Sequence, residues 1–246
     1  MSAPLVPGFP GGTAVSRLRV YDWPAADGRS GGSPHLHTAS AEGYVVLSGS
    51  GSLETLSGTG FGRTELRPGS LLWFTPGTVH RLVNDGGDLE LLVVMQNAGL
   101  PESGDAVLTY PREVLADPDA YRRATALPEG PGPAEEAARA RRDLAVEGYL
   151  ELRARVRREG PAALGELYTS AVALVRDKAA GWHHHVERGA ARQAEATTGH
   201  LEALGRGDGG HLAESAVYTA DGGSRDRHGM CGHLRVWDLD GARPTV

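Results

Sequence analysis

The sequence predicts an α+β protein: an antiparallel β-barrel or jelly roll, then an all-helical stretch, then a short pair of strands. Three observations carry this. Up to about residue 110, short apolar runs alternate with Gly, Pro and Asp turns. From about 111 to 209, apolar residues recur at helical spacing, and after 210 strand-like alternation returns. The expected units are residues 1–110, 111–209 and 210–246, with the last strands packed on the barrel.

Taken in order, residues 1–13 are rich in Pro and Gly and read as an arm. A strand is expected over Ser16–Trp23, and a Gly/Ser/Asp loop over Ala25–Ser33. Two strands follow, one holding His35 and His37 and one running from Glu42 to the Gly49-Ser50-Gly51 turn. Leu53–Leu56 continues the sheet, Gly58–Gly62 is a turn, and Thr64–Leu66 is a short strand. Leu71–Thr75, the stretch after Pro76-Gly77, and Leu89–Gln96 complete the set, and Tyr110-Pro111 closes it. Asp117 then caps a helix with Pro118 at its first position, running through Ala126. Residues 128–133 read as a linker and 134–159 as a helix with Val146, Tyr149, Leu152, Arg153 and Val156 along one side. Gly160-Pro161 starts a second long helix with a broad apolar face from Leu164 to Val175. Gly181 is expected to separate off a third, over Trp182–Leu204, and the three should form a compact group against the barrel. In the tail, His211–Thr219 is expected to pair with Leu234–Leu239. Leu18-Arg19-Val20-Tyr21-Asp22 is echoed by Leu234-Arg235-Val236-Trp237-Asp238, which suggests a tail strand joining the same sheet.

Chemistry is concentrated in two segments. Residues two apart in a strand share a face, so His35 and His37 present both imidazoles to one side. On the same period Glu42, Tyr44, Val46 and Ser48 share the inward face of the next strand. After Pro76-Gly77, His80, Leu82 and Asn84 alternate with Arg81 and Val83, so His80 points inward too. Three imidazoles and one carboxylate make a ligand set for a divalent transition metal ion (Fe, Mn, Ni, Cu or Zn) with coordination positions left open.

At these residues the chain resembles the cupin superfamily. His35, His37, Glu42 and Gly49 match the spacing of its first motif. Gly69, Pro76, Gly77, His80 and Asn84 match the second, with one extra residue before Pro76. The likeness covers roughly residues 15–97. It implies a double-stranded β-helix with His35, His37, Glu42 and His80 as metal ligands at the barrel mouth. It also implies a small-molecule ligand, and a homodimer through paired edge strands. Cupins of this kind include dioxygenases, in which the ion orients a substrate and O2. Others are sugar isomerases and lyases, which use the ion as a Lewis acid, and some are non-catalytic sensors.

Composition sets outer bounds. The 246 residues carry 25 basic and 31 acidic side chains, a net charge of -6, with no basic cluster, which argues against a nucleic-acid partner. No run of about 18 apolar residues predicts a membrane span, and the start of the chain does not read as a secretory signal. A single cysteine, Cys231, fits a reducing cytoplasm. Arg63, Arg67 and Arg81 are candidates to hold a phosphate or carboxylate. His183, His184 and His185 lie about 100° apart in a helix and cannot share one ion. His228 and His233 flank a Gly-Met-Cys-Gly loop with too few cysteines for a structural zinc site, read instead as a tight loop near the barrel mouth. Trp73, Phe74 and Tyr44 read as core. Outside the ligand set no residue is a clear general base, Tyr44 or a histidine of the helical stretch being the candidates. That favours a metal-dependent oxidoreductase of dioxygenase type, with isomerase, lyase or sensor as the alternatives.

Overall fold

The computed structural model describes residues 8–223, 226–239 and 241–245. The strands before the helices are β1 (Ala14–Val20), β2 (His35–His37), β3 (Glu42–Ser48), β4 (Gly51–Ser57), β5 (Gly60–Leu66), β6 (Leu71–Phe74), β7 (Val79–Val83), β8 (Glu90–Met95) and β9 (Ala106–Leu108). The helices are α1 (Arg112–Leu115), α2 (Pro118–Thr125), α3 (Pro131–Glu159), α4 (Gly165–Val186) and α5 (Arg192–Gly205). Strands β10 (Val217–Thr219), β11 (Arg227–His228), β12 (Gly232–Val236) and β13 (Arg243–Thr245) close the chain. Among the described residues no helix is long and apolar enough to cross a membrane.

Two antiparallel sheets face each other as a jelly roll. One has the order β11-β12-β1-β8-β3-β6 and the other β5-β4-β7-β2-β9. Among the described residues no ladder runs from one sheet into the other, so the barrel is open rather than closed. The period of two is visible in β3 and β8, where alternate residues are buried, and their inward side chains meet those of the facing sheet. Leu18, Tyr44, Val46, Leu53, Leu82, Leu91 and Val93 fill the space between the sheets. A bulge between Val46 and Ser48 ends the alternation, which leaves Ser48 exposed where the pattern placed it inside.

The outer face of the five-stranded sheet is covered by helices. Leu36, Leu56, Val79 and Val107 point out of the jelly roll and pack against Tyr149, Leu152, Leu164, Leu167, Ala171 and Val175 of the helical region. This explains why all five residues of β7 are buried, including Arg81 on the outward face. Arg81 is wholly buried and pairs with Asp27 through two hydrogen bonds of 2.5 and 3.1 Å. Beside it Glu54, also buried, accepts from Tyr149 Oη and Arg153, both at 3.0 Å, which ties α3 to the sheet. Arg63 pairs with Asp85 and Arg67 with Glu65. All three arginines are therefore committed to ion pairs.

Several expected boundaries shift. Asp117 caps α2 as predicted, accepting from the amides of Asp119 and Ala120. Strand β5 begins at Gly60, inside the expected turn, and α3 begins at Pro131, inside the expected linker. Gly181 does not break its helix: α4 runs through it to Val186, and the break falls at Gly189, whose φ/ψ of -100/-105° is not helical. Helix α5 buries no side chain, so the three long helices do not form one compact group. Trp73 is 72 % exposed, on the outward face of the edge strand β6, and is not core.

The tail also pairs differently from the expectation. Strand β10 pairs with β13, while β12 joins the six-stranded sheet beside β1, with Leu18 opposite Leu234 and Arg17 opposite Arg235. The two echoed segments are thus antiparallel neighbours with the same inward leucine. Residues 1–7 of the expected N-terminal arm lie outside the described residues.

Replacing Asp27 with Asn leaves the buried Arg81 charge without its counter-ion. Breaking a fully buried pair costs about 3–5 kcal/mol. Asp27 keeps some contact with water, so we expect Asp27→Asn to lower unfolding stability by at least about 2 kcal/mol in urea titrations. Arg81 and the neighbouring amide of Arg29 overcome burial and hold the Asp27 carboxyl below its usual value of 3.8. A depressed carboxyl stabilises above its unfolded pKa, so the gap between wild type and Asp27→Asn should close only as pH falls below about 3.8.

Candidate metal centre

Strands β2 and β7 are neighbours, with His35 directly opposite His80. Glu42 enters from β3 in the facing sheet. A type II turn delivers His80: Pro76 takes the second position, Gly77 the third with φ +84°, and the Thr78 amide closes on the Thr75 carbonyl at 3.2 Å. The Gly77 amide also donates to the His37 carbonyl at 2.8 Å, so the turn is fastened to β2.

The structure brings His35, His37, Glu42 and His80 together. Each offers one ligand atom, and these atoms lie within 4.8 Å of one another. Among the described residues this is the one such group of His, Cys, Asp or Glu. The four are nearly sealed, with His80 at 0 % and His37 and Glu42 at 7 % exposure. Glu42 Oε2 lies 3.2 Å from His80 Nε2 and 3.3 Å from His37 Nε2.

Each imidazole is held from behind. His35 Nδ1 donates to the Ser33 carbonyl at 2.9 Å and His80 Nδ1 to the Thr78 carbonyl at 3.1 Å, in both cases two residues back. His37 Nδ1 donates to the Asp105 carboxylate at 2.6 Å. With Nδ1 engaged, the Nε2 lone pairs are the free ones, and outer partners of this kind fix tautomer and ring orientation in metal-binding histidines. Glu42 Oε2 and His80 Nε2 are buried yet have no hydrogen-bond partner in the protein. Orphaned buried polar atoms are costly, and a cation between them would satisfy both. The donor set, burial and orphaned atoms fit a divalent transition metal ion.

The electrostatics agree. Burial, then the neighbouring His80 and His37, pushes His35 well below the ordinary imidazole value, which keeps it a neutral ligand. Burial would raise Glu42, but His80 and His37 hold it well below the usual carboxylate range. Burial would lower His37, yet Asp105 and Glu42 raise it to about 10. Without a cation His37 therefore takes a proton to balance the two carboxylates.

Tyr44 is fully buried on β3, its hydroxyl without a partner, and burial followed by the Glu42 charge pushes it well above its usual value. Phe74 covers the other side, its ring 4.3 Å from that of His80. One contributor had no signal in the sequence, and another was foreshadowed only by the position of its loop. Asp105 is wholly buried, accepts from the Ser40 amide at 2.9 Å as well as from His37, and belongs to no motif. Cys231 Sγ lies 4.0 Å from His35 Nδ1, so the Gly-Met-Cys-Gly loop does reach the site, from beneath. Burial, then Glu42, pushes its thiol well up, and it stays protonated. His228 and His233 turn away onto the stacked rings of Tyr21 and Trp23. His185 bonds Ser103, and His184 the Gly181 carbonyl.

Facing antiparallel sheets with a His/Glu cluster at one end define a double-stranded β-helix. Residues 25–95 match the family model of the cupin domain. Residues 25–95 thus form a cupin domain, as the two sequence motifs imply. Among solved structures it is similar to a Klebsiella pneumoniae protein with a double-stranded β-helix domain (20 % identity over 34 % of this chain, TM-score 0.28). A nucleoside dehydratase from Streptomyces is similar at 20 % identity over 39 % of this chain (TM-score 0.30). A TDP-quinovose 3,4-ketoisomerase from Campylobacter jejuni is similar at 18 % over 33 % (TM-score 0.29). The matches cover 60 to 66 % of those chains, so this chain spans under two thirds of their length. No curated protein matches the sequence.

Asp105→Asn removes one of the two charges that hold His37 protonated, the other being Glu42. We expect the His37 pKa in the metal-free protein to fall from about 10 toward the ordinary 6.5, as read by NMR titration of its ring protons. A raised imidazole pKa stabilises the fold fully below about 6.5 and ceases to do so as pH rises through about 10. Wild type should therefore lose stability over that window, and Asp105→Asn should lose less, because Glu42 still favours the proton.

Proposed function

We propose that the chain is a metal-dependent cupin enzyme. His35, His37, Glu42 and His80 would hold one divalent transition metal ion, with a small-molecule substrate bound at the open end of the jelly roll. The observation that carries this reading is the convergence of three back-tethered imidazoles on a buried carboxylate whose free oxygen has no partner. Such an ion orients a bidentate substrate and, when redox-active, activates O2 beside it.

Of the reactions open to this site, oxidation of dioxygenase type is the one we favour. Isomerisation needs a base to take a substrate proton, and the two protic groups nearest the ligand set, Tyr44 and Cys231, are both held in their protonated forms. They can donate hydrogen bonds to a bound anion but are poor bases. Tyr44 is thus our candidate for a positioning donor. The near-complete burial of the four residues limits access of bulk water to an ion held there.

Metal analysis of the purified protein should show about one transition metal ion per chain, lost when His35, His37, Glu42 and His80 are all changed to Ala. Loading with Fe(II) should give O2 uptake with a catechol, thiol or β-diketone from a substrate panel, and loading with Zn(II) should not. Ion retention by the fourfold variant would overturn the ligand assignment. Turnover by the Zn(II) form would overturn the oxidative reading in favour of Lewis-acid chemistry.

For the oligomer we propose a homodimer. Edge strand β6 has no outer neighbour among the described residues, and Leu71, Trp73 and Leu47 expose apolar surface beside it. Trp73→Ser should shift the mass in light scattering from dimer to monomer. A wild-type mass equal to one chain would refute it.

A further inference from the structure

We infer that helix α4 is a strap that positions His37, with Tyr168, Trp182 and His185 as its attachment points. The helix lies outside the matched cupin residues 25–95, yet, besides the ion pairs of Glu166 with Arg112 and Arg155, it makes polar contacts with the two segments that flank the cluster. At one end, Tyr168 Oη donates to the Gly77 carbonyl at 3.1 Å, and the Gly77 amide donates to the His37 carbonyl at 2.8 Å. At the other end, Trp182 Nε1 donates to the Ser103 carbonyl at 3.3 Å, and Ser103 Oγ lies 2.8 Å from His185 Nε2. Ser103 has one hydroxyl proton and gives it to the Gly99 carbonyl at 2.8 Å, so His185 is the donor through Nε2–H. Two residues on, Asp105 takes the His37 imidazole and the Ser40 amide.

Both chains of contacts end on His37, one at its backbone and one at its ring. The attachment points span 17 residues, about 26 Å of helix at 1.5 Å per residue. The 99–105 segment needs such an anchor. Gly99 and Gly104 both adopt positive φ, which removes the stiffness that side chains would lend. Gly99 also lies so close to His185 that a Cβ there would fall 2.5 Å from His185 Nδ1. Ser103, gripped by two side chains of α4, is what keeps Asp105 in register with His37. Metal affinity is sensitive to outer partners of ligating histidines by about 10–100-fold, so an anchor one step further out should act through the same channel.

The inference rests on the proposed metal site for its affinity readout and on the metal-free structure for its other readout, so the two can fail separately. The test compares full-length wild type with a Trp182→Phe/His185→Ala variant and with Ser103→Ala, which leaves α4 itself intact. In metal-free protein, the downfield 1H resonance of the His37 Nδ1–H···Asp105 bond should shift or broaden in both variants while far-UV circular dichroism stays native. Calorimetric titration with Co2+ should show affinity about tenfold weaker in both. Keeping a side-chain donor at position 185, as in a Trp182→Phe/His185→Gln variant, should recover most of the loss. Folded variants with the wild-type proton resonance and wild-type Co2+ affinity would overturn the strap. Wild type that binds no Co2+ while the proton resonance still responds would overturn the metal reading and leave the strap standing.

Discussion

The structure depends on one constraint: three imidazoles and a carboxylate are packed into a nearly water-free space, where each must be oriented by something other than solvent. Burial alone would neutralise His35 and His37 and protonate Glu42. Instead every Nδ1 has an acceptor behind it, two of them carbonyls two residues back, just ahead of β2 and β7, and one the Asp105 carboxylate. The acceptors sit immediately ahead of β2, β7 and β9, next to strands of the five-stranded sheet. What remains unsatisfied points inward, at Glu42 Oε2 and His80 Nε2. The scaffold therefore leaves a specific polar deficit at its centre, and the proposed metal ion rests on that deficit.

That deficit is sustained by packing on the opposite side of the sheet. The strand that carries His80 inward carries Arg81 outward, and without α3 that arginine would face water. Covering it brings Asp27, Glu54, Tyr149 and Arg153 into one polar layer beneath the helix. Such a layer is a poor source of net stability compared with apolar packing, but it is directional, and it sets how α3 sits across β4 and β7. The apolar cluster that runs from Leu36 and Val79 to Leu167 and Val175 supplies the binding energy for both helices. Register and rigidity of the ligand-bearing strands thus rest on elements outside the matched domain.

The grouping of His35, His37, Glu42 and His80 and the jelly roll were legible because both follow from short-range rules: period two in strands, Pro-Gly at a type II turn, a capping Asp before Pro. Helix α2 was legible for the same reason. Short-range rules failed where distant packing decided the outcome. Gly181 has the composition of a breaker, but neighbours on both sides favour helix and α4 continues through it, while Gly189 takes the non-helical conformation. Trp73 is large and apolar like a core residue, yet it alternates onto the outward face of an edge strand. Asp105 had no signal at all: one carboxylate in a Pro-Glu-Ser-Gly-Asp turn is indistinguishable from a solvated one until β9 is seen to pair with β2. The echo between residues 18–22 and 234–238 carried more information than its length suggests, since the two copies lie side by side.

The C-terminal strand has a consequence for the site as well. Because β12 pairs with β1, Gly232 sits directly on Val20, where a Cβ would fall 2.0 Å from the Arg19 carbonyl, and this approach drives Cys231 into the jelly roll under His35. Strand β12 thus sets Cys231 against His35, while residues of α4 contact Gly77 and Ser103 beside the cluster. A cupin of this sequence pattern reduced to its matched residues would keep the four ligand-type side chains but lose both Cys231 and Asp105. The ligand spacing is then necessary but insufficient for the site: Cys231, the α4 contacts and the tether of His37 all come from segments beyond residue 95.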